Sequence, residues 1–117
     1  IEKIEQFAAA NNKKVLYVLS YPADYLAKAY SENKRWDQDI IDYIKSKNLP
    51  LVDLGQIHFE EFKHINIDFK EYLKKYFIGH YNPLGNMFCS QAIIRPLVNM
   101  LNPKPVPYNP NTKIGNF

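Results

Sequence analysis

The sequence predicts an α/β fold in which helices flank a short parallel sheet, and two observations support this. Residues 14–19 (KVLYVL) and 51–54 (LVDL) are short, mostly apolar segments. Such segments are typical of strands buried on both faces of a parallel sheet. The residues between them have helical periodicity, so strand and helix alternate along the chain. A parallel pair of strands joined by a crossover helix satisfies this order.

The N-terminal half divides into a helix, a strand, two helical segments and a second strand. Apolar residues recur with helical spacing in 1–10, and Asn11-Asn12 ends the predicted helix before the first strand. Residues 24–30 predict a short helix or an irregular turn. The segment 36–47 alternates apolar and charged residues with helical spacing, which predicts an amphipathic helix. Pro50 stops this helix just ahead of the second strand.

The C-terminal half is predicted to be helical up to a proline-rich end. Residues 58–65 and 69–77 read as short helices rich in Phe and Tyr, and 83–101 as a final, longer helix. Pro96 lies inside this last pattern, where it predicts a kink or a break in the hydrogen-bond ladder. The first 101 residues therefore form the predicted α/β unit. Residues 102–117 are rich in Pro and Asn and predict an extended tail.

Two strands are few for a parallel sheet, which needs its faces and edges covered. Either further strands lie in the irregular segments, or the rest of the sheet belongs to residues outside these 117, and we favour the second. The chain opens on Ile1 rather than Met, which indicates a processed product or an excised segment. The predicted partners of the uncovered surface are an upstream region of the same protein or a second copy of the chain.

Composition excludes several classes of function. With 46% hydrophobic and 23% charged residues, the 117 residues have the composition of one globular domain. The net charge of +3 comes from scattered Lys and Arg rather than from a basic stripe, so nucleic-acid binding is not predicted. No apolar run reaches the ~20 residues that span a bilayer. Cys89 is the single cysteine, which excludes an internal disulfide. Without a glycine-rich phosphate loop, no cofactor is implied.

Residues 79–86 (GHYNPLGN) are the most informative stretch for function. Asn82 is a good helix N-cap and Pro83 suits the first helical position. His80 therefore lies just ahead of a helix N-terminus, whose partial positive charge disfavours imidazolium. A neutral imidazole is the form that a general base needs. His80 is thus the candidate catalytic residue, and an ordinary loop histidine is the competing interpretation.

The order of three segments resembles the C-terminal half of the SGNH (GDSL-like) hydrolases. These segments are KKVLYVLSYP, WDQDIIDYIKSKNLPLVDL and GHYNPLGNMFCSQAIIRPLVNML, and the resemblance covers residues 13–101. By this resemblance, His80 matches the catalytic histidine of the family, and Gly85 matches the small residue in the helical turn that follows it. Asp53 corresponds to an aspartate at the end of a strand, which we interpret as structural. The resemblance implies a partial flavodoxin-like three-layer sandwich and weakly favours an extracytoplasmic location.

The chain departs from the family pattern at the other parts of the catalytic machinery. Phe77 occupies the position of the aspartate that usually orients the histidine. The Gly-Asp-Ser nucleophile block and the Gly-x-Asn-Asp block do not occur in this sequence. Acyl transfer needs a nucleophile, a base and oxyanion donors together. The resemblance therefore implies hydrolysis of an ester or O-acyl group, on a carbohydrate or other small molecule, by a longer protein. The competing class is a non-catalytic α/β binding or interaction module.

Other reactive side chains have simpler interpretations. Ser20 follows the first strand, where a turn hydroxyl is favoured over a nucleophile. Asp68 can turn back to His80, but an acid that opens the 69–77 helix is favoured. Cys89 lies about two turns inside the last helix, too far along it to pair with His80. His58 and His64 match no zinc spacing and are predicted to be surface or interfacial, and Glu60-Glu61 a solvated face.

Overall fold

The computed structural model describes residues 1–105, which form an α/β arrangement of six helices and two strands. The predicted α/β class is confirmed. The elements are α1 (Glu2–Ala10), β1 (Tyr17–Leu19), α2 (Ala23–Ser31), α3 (Gln38–Ser46), β2 (Leu51–Asp53), α4 (Leu54–Phe62), α5 (Phe69–Tyr76) and α6 (Pro83–Met100).

The sheet consists of β1 and β2, paired in parallel with Val18 opposite Val52. Residues 1–105 contribute no third strand, so the alternative that further strands lie in their irregular segments is wrong. The first strand begins at Tyr17 rather than at Lys14. Val52 is buried, but 37% of Val18 is exposed, so burial of β1 on both faces is also wrong. The physical reason is that too few elements of the described chain lie around β1 to cover it.

Helix boundaries follow the capping residues. Helix α4 begins directly after β2, four residues earlier than predicted, because the Asp53 side chain accepts a hydrogen bond from the Gln56 N–H at 3.0 Å. The segment 24–30, predicted to be a short helix or an irregular turn, lies within a regular helix over Ala23–Ser31. In α3 the amphipathic pattern buries Ile41 and Ile44.

Helix α6 begins as predicted, with the Asn82 side chain accepting a hydrogen bond from the Gly85 N–H at 2.9 Å. The helix continues past Pro96 to Met100, so the predicted break does not occur. One side of α6 packs on the core through Phe88. The opposite side carries exposed apolar residues: Leu84, Met87, Ile94 and Leu97, followed by Leu101 after the helix.

Aromatic residues from the C-terminal half supply four of the six residues of the buried cluster next to the His80 loop. The buried cluster joins α2 to α5 and the residue that follows it, and comprises Leu26, Phe69, Tyr72, Leu73, Tyr76 and Phe77. Side chains of α4 and α6 pack against this cluster. The loop that contains His80 therefore connects two helices that contact each other, and the core lies directly beneath it.

The remaining predictions concern the tail and the bilayer. Residues 102–105 form neither helix nor strand, and the rest of the predicted tail, 106–117, lies outside the described residues. Among residues 1–105, no helix combines the length and apolar character that crossing a membrane requires.

Candidate functional site

His80 is exposed in the loop between α5 and α6, and a backbone group orients its ring. The Nδ1 atom lies 2.8 Å from the carbonyl oxygen of Tyr81. A carbonyl can only accept a hydrogen bond, so this contact assigns the proton to Nδ1. The Nε2 atom then keeps its lone pair. His80 is thus held in the tautomer that can take a proton from a hydroxyl group.

The backbone of this loop is fixed on both sides of His80. Phe77 and Tyr81 form an antiparallel bridge, and the Ile78 N–H donates to the His80 carbonyl at 2.8 Å. Gly79 forms the turn with φ of 89°, in the left-handed region that glycine adopts without strain. These contacts place the Tyr81 carbonyl where the imidazole can reach it.

Tyr81 connects the His80 loop to the core and to the carboxyl end of β1. Its ring stacks on Phe77 with the centroids 4.2 Å apart. Its hydroxyl lies 3.0 Å from Nε2 of His58, and Ser20 and Cys89 also lie beside that hydroxyl. Burial raises the pKa of Tyr81, so the hydroxyl stays protonated and donates to His58. The loop is therefore anchored beside the residue that follows β1.

His58 lies at the centre of a buried hydrogen-bonded chain. Its Nδ1 atom is 2.9 Å from the Tyr72 hydroxyl, which in turn donates to Glu61. Because the Tyr72 proton goes to Glu61, Tyr72 accepts from Nδ1–H, and Nε2 is free to accept from Tyr81. The imidazole also stacks on Phe88 at 4.2 Å. Both ring nitrogens of His58 are thus satisfied.

The structure corrects two expectations in this chain of contacts. His58 is fully buried, so its prediction as a surface or interfacial histidine is wrong. Four residues after Leu54, it lies on the apolar side of α4, and that spacing could have revealed it. Glu61 is half-buried and also accepts from the Tyr76 hydroxyl at 2.8 Å. The prediction of a solvated face is therefore confirmed for Glu60 and wrong for Glu61.

Burial of His58 predicts that the protein loses stability in mild acid. Burial lowers the pKa of His58 from 6.5 to about 4, although Glu61 acts in the opposite direction. Between these values the unfolded chain binds more protons than the folded one. The free energy of unfolding should therefore fall by about 3 kcal/mol from this group as the pH drops from 6.5 to 4.

Urea unfolding at several pH values measures this effect. The wild-type protein and the His64→Ala variant should lose stability in parallel, because His64 is exposed. The slope should be shallower in His58→Gln, which cannot titrate in this range. Equal slopes in all three proteins would contradict a buried, neutral His58.

A second polar network lies at the carboxyl ends of both strands. Arg35 donates to Asp53 at 2.6 Å, to Asp37 at 2.8 Å and to the Tyr21 hydroxyl at 2.6 Å. Burial alone would raise the pKa of Asp37, but hydrogen bonds from Arg35, Tyr21 and Tyr25 outweigh it and hold the pKa well below its usual range. The Arg35 cation and both carboxylates satisfy one another. The structural interpretation of Asp53 is therefore confirmed.

The other reactive side chains occupy separate places. Asp68 caps α5 by accepting from the Lys70 N–H at 2.8 Å, which confirms its predicted role. Cys89 is half-buried in α6, where burial raises the pKa of its thiol. Ser20 is exposed beside Tyr81. In the part of the chain that the structure describes, no three His, Cys, Asp or Glu side chains come together as metal ligands.

Gly85 provides a test of how tightly Tyr81 is held. A Cβ at this position would lie 2.4 Å from both the Tyr76 carbonyl oxygen and Cδ1 of Tyr81. Gly→Ala within a helix usually stabilises by about 1 kcal/mol. Here the clash should reverse the sign, and we expect Gly85→Ala to lower the free energy of unfolding by about 2 kcal/mol.

Urea unfolding of the Gly85→Ala and Asn86→Ala variants separates the clash at Gly85 from the general effect of alanine on this helical turn. Asn86 is the next residue of the same helical turn and is exposed. A Gly85→Ala protein as stable as the wild type would mean that Tyr81 and the α6 start can shift apart easily.

Comparisons of the chain with protein-family models, with curated proteins and with solved structures each find no match.

Proposed function

We propose that this chain is the C-terminal portion of an SGNH-like hydrolase with a flavodoxin-like three-layer fold. Its reaction is hydrolysis of an ester or O-acyl group, with His80 as general base and then general acid. The observation that carries the proposal is the contact of His80 Nδ1 with the Tyr81 carbonyl oxygen. In the neutral ring this contact places the proton on Nδ1 and the lone pair on Nε2, where a base needs it.

The Tyr81 carbonyl takes the part that the family gives to an aspartate. Phe77, at the aspartate position, is buried and stacks on the Tyr81 ring. An apolar residue there cannot accept a hydrogen bond from His80, but it packs against the residue whose carbonyl does. Open α/β sheets bind ligands beyond the carboxyl ends of their strands, and Tyr81 lies beside Ser20 at that end of β1.

In the proposed reaction, a serine outside these residues attacks the ester carbonyl carbon and gives its proton to Nε2 of His80. The imidazolium then passes this proton to the departing alkoxide oxygen, which leaves an acyl-enzyme. Water attacks the acyl-enzyme with the same histidine as base, and the serine recovers its proton. The exposed position of His80 leaves Nε2 open to a serine from another segment.

Two measurements test the proposal. Nitrogen-15 NMR of the neutral imidazole should show His80 with a protonated Nδ1 and an unprotonated Nε2. The longest polypeptide that the gene encodes should hydrolyse an activated acetyl ester and react covalently with a serine-directed phosphonate, and His80→Ala should abolish the hydrolysis. The opposite tautomer, or a long polypeptide inert towards both reagents, would refute the proposal.

A second candidate function is that of an interaction module, and the exposed apolar residues favour it. Helix α6 exposes Met87 by 50% and Ile94 by 47%, and α1 exposes Phe7 by 67%. Large exposed apolar patches mark interaction surfaces more often than they occur on monomers, and Met87 and Ile94 lie seven residues, or two helical turns, apart on α6. Within residues 1–105 the sheet has only two strands, so each strand has an edge without a neighbouring strand from this part of the chain.

These surfaces predict that the 117-residue chain self-associates. Light scattering should show a molecular mass that rises with protein concentration. Met87→Lys combined with Ile94→Lys should shift the equilibrium towards monomer, whereas Asn86→Lys with Ser90→Lys adds the same charge to exposed polar positions of α6. A strict monomer at high concentration, or equal effects of the two pairs, would contradict the prediction.

A further inference from the structure

A cleft lies between α2 and α5, next to the loop that contains His80. It has a volume of about 560 Å³, which is within the usual range for small-molecule sites. Its apolar lining includes Ala27 from α2 with Leu73 and Phe77 from the α5 side. Gly79 lines the same cleft, so one part of it adjoins the residue before His80. We call this space the α2–α5 cleft.

The rim of the α2–α5 cleft is positively charged. Lys28, Lys70 and Lys74 line it, and Asp24 is the acidic residue of the lining. Glu71, outside the lining, pairs with Lys74 at 2.6 Å. Even with both acids counted, the cations outnumber the anions.

The helical spacing of these residues explains why apolar and cationic groups meet here. On α5, Lys70 and Lys74 are four residues apart, and Leu73 lies between them on the same face. On α2, Ala27 and Lys28 are consecutive residues, and both line the cleft. A lysine stem can lie along apolar surface while its ammonium group reaches water. Each helix thus contributes both apolar and cationic side chains to the cleft lining, with Lys28 from α2 and Lys70 and Lys74 from α5.

We propose that the α2–α5 cleft binds a small amphipathic anion, namely an alkyl or acyl chain that carries a phosphate, sulfate or carboxylate group. The chain lies against Ala27, Leu73 and Phe77, and the anionic group faces the lysines. The binding itself is independent of any reaction. The statement that this ligand is the substrate class of His80 rests on the proposed function.

Titration with octyl phosphate below its micelle concentration tests the binding, with octanol and inorganic phosphate as partial ligands. Octyl phosphate should bind the wild-type chain at least about tenfold more tightly than either, since each lacks one of the two contacts. Amide shifts in the NMR spectrum should concentrate at Ala27, Leu73 and Gly79. Equal affinity for octanol, or shifts centred on Met87 and Ile94 of α6, would overturn the proposal.

Variants separate the charged and apolar parts of the site. Lys74→Gln should weaken octyl phosphate binding about threefold, the usual size of an exposed charge interaction. Lys63→Gln is the matched control, because Lys63 forms the same i,i+3 pair with Glu60 outside the cleft. Ala27→Phe should fill the cleft and reduce binding of octyl phosphate and octanol alike, with circular dichroism as the check on folding. Equal effects of the two lysine changes, or no effect of Ala27→Phe in a folded protein, would overturn the site.

Two further experiments distinguish this proposal from membrane binding and from the hydrolase proposal. Vesicles with and without anionic phospholipid distinguish a membrane surface from a monomeric ligand, and binding to anionic vesicles alone would overturn the proposal. His80→Ala should bind octyl phosphate as the wild type does. If the chain binds octyl phosphate but the longest polypeptide that the gene encodes hydrolyses no ester, the cleft stands and only the hydrolase proposal is refuted.

Discussion

Replacement of His58 by alanine should lower the free energy of unfolding by about 4 kcal/mol. The side chain is fully buried and stacked on Phe88 at 4.2 Å, so its removal leaves a cavity in the aromatic core. The same change deprives the Tyr72 and Tyr81 hydroxyls of their common partner. An unsatisfied buried polar group costs about 1–3 kcal/mol in addition.

Equilibrium unfolding in urea at pH 7 measures this loss, with His64→Ala as the control. His64 is exposed, so its removal should change the free energy of unfolding by less than about 0.5 kcal/mol. If His58→Ala lost no more than His64→Ala, the buried chain from Glu61 to Tyr81 would not hold the fold together. A His58→Ala protein too unstable to purify would agree with the prediction, provided that His64→Ala folds normally.

The 117-residue chain by itself should not be a competent esterase. Catalysis by a serine and a histidine depends on both groups acting as a unit, and loss of the nucleophile costs on the order of 10⁶-fold in rate in a protease. Ser20 is exposed and lies beside the Tyr81 hydroxyl, and we interpret it as a turn hydroxyl rather than a nucleophile. His80 alone should therefore give no more than the background of an exposed imidazole.

Hydrolysis of an activated acetyl ester should be compared for the chain, its His80→Ala variant and free imidazole. We expect similar rates per imidazole for the chain and free imidazole. Turnover far above imidazole that is lost in His80→Ala and blocked by a serine-directed phosphonate would show that this chain holds its own nucleophile. Ser20→Ala would then identify or exclude Ser20.

His58 and His80 are linked through one residue, although they differ in burial. The Tyr81 hydroxyl donates to buried His58, and the Tyr81 carbonyl accepts from exposed His80. Packing of the aromatic core thereby determines the position of the group that orients the candidate base. This explains how the loop can hold a defined imidazole tautomer without a carboxylate next to it.

Local sequence signals predicted most element types, because they depend on neighbours in the chain. The Asn82-Pro83 start of α6 and the Asp68 cap of α5 are local hydrogen-bonding preferences, and the structure confirms both. Boundaries were less accurate where a cap depends on the fold around it. Asp53 ends β2, caps α4 and binds Arg35, a residue 18 positions earlier, which no local pattern indicates.

The sequence by itself determined the α/β class and the alternation of strands and helices. It also placed His80 in a loop just ahead of a helix N-terminus. Periodicity and capping residues act within a few residues, so they are visible in the chain. Only the tertiary structure decided that His58 is buried between Tyr72 and Tyr81, and that Glu61 accepts from two tyrosines. These contacts join α4, α5 and the α6 loop across 11 to 23 residues. Hydrogen bonds between distant segments depend on how the helices pack, and a polar side chain carries no local sign of whether its partners will be water or protein.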